Sequence, residues 1–174
     1  HPPINRSPIH QPPITNLESL ISTEYAAKLY TARAERTMEG ERRVVTMLFC
    51  DVLGSTEAAS HLDPEEWAGI INGAFARMIA PVYHYEGTVA RLMGDGILAF
   101  FGAPIAHEDD PHRGVLAGLK IIEEFKAYQE QIFEEWHLEL DVRVGINTGL
   151  VVVGAVGSDL QVEYTALGDA INVA

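Results

Sequence analysis

An acid flanked by glycines between two apolar runs constrains this chain more than any other feature. Arg91-Leu92-Met93 leads into Gly94-Asp95-Gly96, and Ile97-Leu98-Ala99-Phe100-Phe101 follows. The pattern predicts a β-hairpin, because a tight two-strand turn needs residues that tolerate positive φ. Turn geometry accounts for Gly94 and Gly96. It leaves open why a carboxylate, Asp95, stands between two strands bound for a core.

A second acid has a comparable setting. Arg42 to Leu53 reads as a buried strand through Val44, Val45, Met47, Leu48, Phe49, Cys50 and Val52. Polar interruptions are few, so both faces are expected to be covered. Strand alternation puts Asp51 on the face of Val45, Met47 and Phe49. A carboxylate closing an apolar face is costly unless something compensates it, and a metal ion is one such partner. Gly54-Ser55-Thr56 then forms a small-residue turn into a helix, of the kind whose backbone N–H groups can cradle phosphate. Taken alone, such turns are as often purely geometric.

The remaining elements follow from periodicity and punctuation. Asp63-Pro64-Glu65-Glu66 predicts a helix start, with an Asp cap, Pro at the first position and acids in the first turn. Trp67, Ile70, Ile71, Ala74, Phe75, Met78 and Ile79 then form its core stripe. A second long helix is expected over roughly Pro111 to Glu135, with Val115, Leu119, Ile122, Phe125 and Ile132 inward and Glu123, Glu124 and Glu130 solvated. The acids and histidines of His107-Glu108-Asp109-Asp110-Pro111-His112 suit a helix N-terminus and are not assigned to a metal. Leu138 to Asn147 and Leu150 to Val156 read as two strands turning at Thr148-Gly149. Gly157-Ser158-Asp159 makes a further turn into Val162 to Ala166, and Gly168-Asp169 opens another helix.

The order is βαββαβ: an α+β, ferredoxin-like sandwich with helices on one face of a mostly antiparallel sheet. The first and third strands of such a sheet are central neighbours. Asp51 and Asp95 are therefore expected to meet at one edge, where two acids repel unless cations sit between them. Paired divalent ions there would also clamp the attacking and leaving oxygens of a phosphoryl displacement, and Mg²⁺ suits carboxylates plus substrate phosphates. The bland alternative is that Asp51 caps the next helix and Asp95 serves the turn.

Residues 1–15 hold five of the nine prolines and read as an extended linker. Residues 16–40 read as a helical linker, either a packing arm or a signalling helix, with Asn16 as cap and Leu17, Leu20, Ile21, Tyr25 and Leu29 on one face. The folded unit is assigned to 41–174. Acids outnumber bases 25 to 12, for a formal charge of −13, which argues against a nucleic-acid partner. No apolar run reaches the length of a membrane span, and one cysteine, Cys50, points to a reducing, cytoplasmic compartment.

Four motifs, in order, resemble the catalytic domain of class III adenylyl and guanylyl cyclases. They are Val45-Thr46-Met47-Leu48-Phe49-Cys50-Asp51-Val52-Leu53-Gly54-Ser55-Thr56, then Gly94-Asp95-Gly96, then Val142 to Gly149, and finally Tyr164 to Ala174. The resemblance implies the nucleotide cyclase fold and a role for each matching residue. Asp51 and Asp95 match the acids that hold two Mg²⁺ or Mn²⁺ ions. Val52, Leu53, Gly54, Ser55 and Thr56 match the turn that cradles the triphosphate, and Arg143 matches an arginine on phosphate. Arg91 falls where adenylyl cyclases carry a purine-reading lysine, and Thr165 at the second purine-reading position. Asn172 matches an asparagine that positions the ribose.

The implied activity is conversion of ATP to cyclic AMP and pyrophosphate, within a head-to-tail homodimer whose subunits share each active site. GTP as substrate, or a silent module that only dimerises or senses nucleotide, are the alternatives. Arg91 is a departure, since a planar fork replaces a point donor. The resemblance also puts a transition-state arginine and a phosphate-binding lysine past Ala174. The stretch is thus expected to be an incomplete domain, weak or inactive alone, with fused domains before and after it.

Overall fold

The computed structural model describes residues 21–34, 41–156 and 163–167. Its elements run α1 (Thr23–Ala34), β1 (Glu41–Leu53), α2 (Ser55–His61), α3 (Pro64–His84), β2 (Thr88–Met93), β3 (Gly96–Phe101), α4 (Asp110–Trp136), β4 (Asp141–Val156) and β5 (Glu163–Leu167). The strands form one sheet in the order β2-β3-β1-β4-β5, and every adjacent pair is antiparallel. The α+β architecture and the neighbouring first and third strands are as the sequence predicts.

Strand alternation divides β1 between two cores. Leu48, Cys50 and Val52 face α3 and α4, where they meet Ile70, Ala74, Met78, Ile79, Ile121, Phe125 and Ile132. Fully burying aliphatic or aromatic side chains of this size stabilises by ~1.5–3 kcal/mol each, so this layer carries most of the fold. Val45, Met47 and Phe49 point the other way, into a smaller cluster with Ala90, Leu98, Phe100, Ala103 and Val151. Asp51 continues that second row. The β4–β5 ribbon also brings β5 close to β2.

Helix α3 begins as expected: the Glu66 carboxylate accepts the Asp63 backbone N–H at 3.4 Å, and Pro64 opens the helix. Helix α1 packs Tyr25 and Leu29 into the main core, and the Tyr25 hydroxyl lies 2.5 Å from the Glu86 carbonyl. Asn16, Leu17 and Leu20 lie outside the described residues, as does the proposed 157–159 turn.

Two expectations are corrected. Thr148-Gly149 is not a turn: β4 runs unbroken through it, pairing Thr148 with Thr46 and Gly149 with Val45. The threonine hydroxyls lie 2.7 Å apart, so the polar residue that suggested a turn is satisfied across the ladder. In α4, Val115, Leu119 and Ile122 face outward, while Gly114, Ala117, Gly118, Ile121, Phe125, Tyr128 and Ile132 face the core. The reason is close approach. A Cβ on Gly114 would meet the Thr46 methyl at 2.9 Å, and one on Gly118 the Ile146 Cδ1 at 3.0 Å. Small residues mark this face in the first turns of the helix, and large ones from Ile121 onward.

Candidate active site

Register across four strands builds the site. Met93 pairs with Gly96, Gly96 with Asp51, and Asp51 with Arg143. Directly paired residues of antiparallel strands share a face, so these four form one row on the side away from α3 and α4. One step along the strands, Arg91 pairs with Leu98, Leu98 with Phe49, and Phe49 with Gly145. The two rows lie about 7 Å apart, two residues of strand rise. Between them opens a cavity of ≈ 580 Å³ lined by Phe49, Asp51, Met93, Gly96, Arg143 and Gly145. Its lining combines the apolar Phe49 and Met93 with the charged Asp51 and Arg143.

Arg143 grips Asp51 as a fork. Its Nη2 donates to Asp51 Oδ2 at 2.8 Å and its Nε to Oδ1 at 3.2 Å. The hydrogen bonds to Asp51, and then the carboxylate's charge, hold the guanidinium pKa above its usual value. Asp51 is therefore already matched to a cation, which fits a site built to hold positive charge.

Asp95 sits at the tip of the β2–β3 hairpin, next to Asp51's cross-strand partner. The turn differs in detail from the sequence reading. Gly94, at φ 58, takes the first of two loop positions, where a type II′ hairpin needs glycine. Gly96 is already in β3, and its glycine identity has another cause. A Cβ there would meet the Cys50 carbonyl at 2.7 Å and the Asp51 Cβ at 3.2 Å. Gly96 thus clears the space in which Asp51 stands beside the hairpin tip.

The turn after Asp51 supplies the third part. Gly54 adopts φ 82, and a Cβ there would meet the Glu139 carbonyl at 2.6 Å, so glycine is required twice over. This bend aims Ser55, the first residue of α2, at the hairpin, where its Oγ donates to Asp95 Oδ2. Sequence reasoning missed that contact, which joins residues 40 apart. Val52 is buried on the helix side, whereas Leu53 and Thr56 are exposed beside the bend.

The two base-reading candidates fall on the two outermost strands of the sheet, β2 and β5. Arg91 is exposed on β2 next to a bulge, and Thr165 lies on β5, paired with Gly154. Asn172 lies outside the described residues. His107, considered above with its acidic neighbours, is a clamp: its Nε2 lies 3.1 Å from Glu86 and its Nδ1 3.2 Å from Asp110. Among the described residues no group of three ligand-type side chains is placed to hold a metal. The donors that fit a hard divalent ion are the carboxylates Asp51 and Asp95, as a pair that substrate phosphates would complete.

Comparison with known proteins bears on this arrangement. The profile of the adenylate and guanylate cyclase catalytic domain matches residues 38–174. The chain belongs to this cyclase family. Adenylate cyclase 1 of Rhizobium meliloti is 31% identical over 133 residues, covering 76% of this chain and 20% of that protein. The chain thus spans about a fifth of that relative's length. Among solved structures, the guanylyl cyclase Cya2 is 37% identical with a TM-score of 0.72, covering 78% of this chain and 68% of that one. The adenylyl cyclase CyaB from P. aeruginosa is 30% identical with a TM-score of 0.73, covering 79% and 71%. The cyclase fold and family membership agree with the four motifs. No helix among the described residues of this cyclase domain is long and apolar enough to cross a membrane.

Proposed function

We propose that this domain converts ATP to 3′,5′-cyclic AMP and pyrophosphate, for signalling within the cytoplasm. The observation that carries the reading is the single row that sets Asp51 between Arg143 and the Gly96 end of the hairpin bearing Asp95. It brings the Asp51 carboxylate, the Arg143 guanidinium and the hairpin tip to one end of the central strands, beside a cavity of nucleotide size.

In this reading Asp51 and Asp95 hold two Mg²⁺ or Mn²⁺ ions. The chemistry such ions supply when bound is acidification of the attacking hydroxyl and neutralisation of triphosphate charge. The ribose 3′-oxygen forms a bond to the α-phosphorus, and the bond from that phosphorus to the bridging oxygen breaks. The electron pair leaves with pyrophosphate, and the hydroxyl proton passes to solvent. Arg143 turns from Asp51 to the phosphates, where a planar fork suits two oxygens at once. The backbone from Val52 to Thr56 lies along the triphosphate. Asn172 orients the ribose. Arg91 and Thr165 read the purine, in the site completed by the second subunit of a head-to-tail homodimer.

A guanylyl cyclase is the second reading, favoured by the 37% identity to the guanylyl cyclase Cya2. Incubating the full-length protein separately with ATP and GTP in the presence of Mn²⁺, and identifying products by chromatography, tests both. Cyclic AMP as the faster product supports the first. Faster cyclic GTP formation transfers the assignment to the second, and no cyclic product from either nucleotide contradicts both.

A further inference from the structure

We infer that the Ser55 side chain is a positioning residue for Asp95, fixing one carboxylate oxygen so that the other is presented to a divalent cation. The inference rests on the cyclase reading and adds a side-chain role to a segment otherwise assigned through its backbone.

The two acids are stabilised in different ways. Asp51 has both oxygens engaged by Arg143. Asp95 has Oδ2 engaged by the Ser55 hydroxyl. A serine hydroxyl is neutral, so it orients the carboxylate without cancelling its charge. Arg143 competes with a metal for Asp51, whereas Ser55 holds its oxygen and stays in place while the remaining one binds. Partners of this kind, hydrogen-bonded to a metal-binding carboxylate, typically change metal affinity 10–100-fold when removed.

The geometry makes Ser55 a rigid donor. It is 7% exposed, at the start of α2, and the strand-to-helix bend before it is locked by Gly54 in the left-handed region. Asp95 by contrast stands in a two-residue loop with open space around Gly94. Left to itself, a carboxylate on a hairpin tip samples several rotamers, and the order must come from outside the hairpin. Ser55 supplies it from an element 40 residues away. The hydrogen bond also ties the proposed phosphate turn to the metal acid, so both parts of the site move together.

The test is Mn²⁺ binding to the full-length protein without nucleotide, read by electron paramagnetic resonance of free Mn²⁺. The variants are Ser55→Ala, Ser55→Cys, Asp95→Ala and the double variant Ser55→Ala/Asp95→Ala. Circular dichroism checks that each is folded. Ser55→Ala is expected to weaken Mn²⁺ binding about tenfold. Ser55→Cys, which fills the same space with a poor donor, is expected to show the same loss. In the Asp95→Ala background, Ser55→Ala is expected to change nothing further, because its effect acts through that carboxylate. Unchanged affinity in Ser55→Ala, wild-type affinity in Ser55→Cys, or an equal loss with and without Asp95 would each overturn the inference. A wild-type protein that binds no Mn²⁺, either alone or with a non-cyclisable ATP analogue present, overturns instead the two-metal reading beneath it.

Discussion

Arg143 faces Asp51 across the β1–β4 ladder and engages both of its carboxylate oxygens. Both side chains are open to solvent, at 68% and 40% exposure, so the pair contributes little to holding the fold together. Its consequence is functional: a cation of the protein's own occupies the acid proposed to take a metal. Arg143→Ala is expected to tighten Mn²⁺ binding several-fold, by freeing Asp51, while cyclic nucleotide formation falls at least tenfold for want of the phosphate contact. Metal titration alongside an activity assay checks the opposite signs.

Gly96 is the second point of leverage. Gly96→Ala pushes a methyl group into the Cys50 carbonyl and the Asp51 Cβ. Neither is the far end of a flexible side chain, so the β1–β3 ladder must shift. The expected cost is about 1–3 kcal/mol in chemical denaturation, with a loss of activity larger than the loss of folded protein.

Tyr128 offers a contrast far from the site. Its buried hydroxyl donates to the Ile70 carbonyl at 2.6 Å, and the Arg77 guanidinium lies 3.9 Å above its ring. Tyr128→Phe keeps the ring and removes the donor. It is expected to cost about 1 kcal/mol in denaturant midpoint terms and to leave turnover per folded molecule unchanged.

Cys50 lies next to Asp51 in sequence but points into the opposite core. Burial, and secondarily the Asp51 charge, push its thiol up to about 12 from 9.0. The folded state therefore favours the neutral thiol. That contribution is full below pH 9 and is lost as pH rises from 9 towards 12. Tyr25 and Tyr128, both raised from 10.0 to about 12 by burial, act in the same direction in the upper part of that window. Alkaline unfolding above pH 9 is expected, and Cys50 should resist alkylation at pH 8 until denaturant is added. Rapid labelling of the native protein would contradict this placement.

Much of the fold was legible because its cues are local. The Asp63-Pro64 helix start, the apolar run of β1 and the Gly94-Asp95 hairpin each depend on residues within a few positions of one another. Alternation alone placed Asp51 on the face of Val45, Met47 and Phe49. The errors arise where a tertiary neighbour decides. Thr148-Gly149 looks like a turn until Thr46 is opposite it. Helix α4 shows Val115, Leu119 and Ile122 to solvent because Gly114 and Gly118 must lie against the sheet. In the site, the acids were visible as residue types in unusual settings. The Ser55 contact to Asp95 and the Arg143 fork on Asp51 join segments 40 and 92 residues apart, and no short-range pattern encodes them.

Asp51 and Asp95 are proposed to act together, at one end of the central strands, as the metal-holding pair of a nucleotide cyclase. The most direct test of that role is the rate of cyclic AMP formation from ATP and Mn²⁺ by the full-length protein, for wild type, Asp51→Ala and Asp95→Ala. Clear turnover is expected in the wild type and none above background in either variant, with both variants folded. Wild-type turnover by either variant would contradict that role.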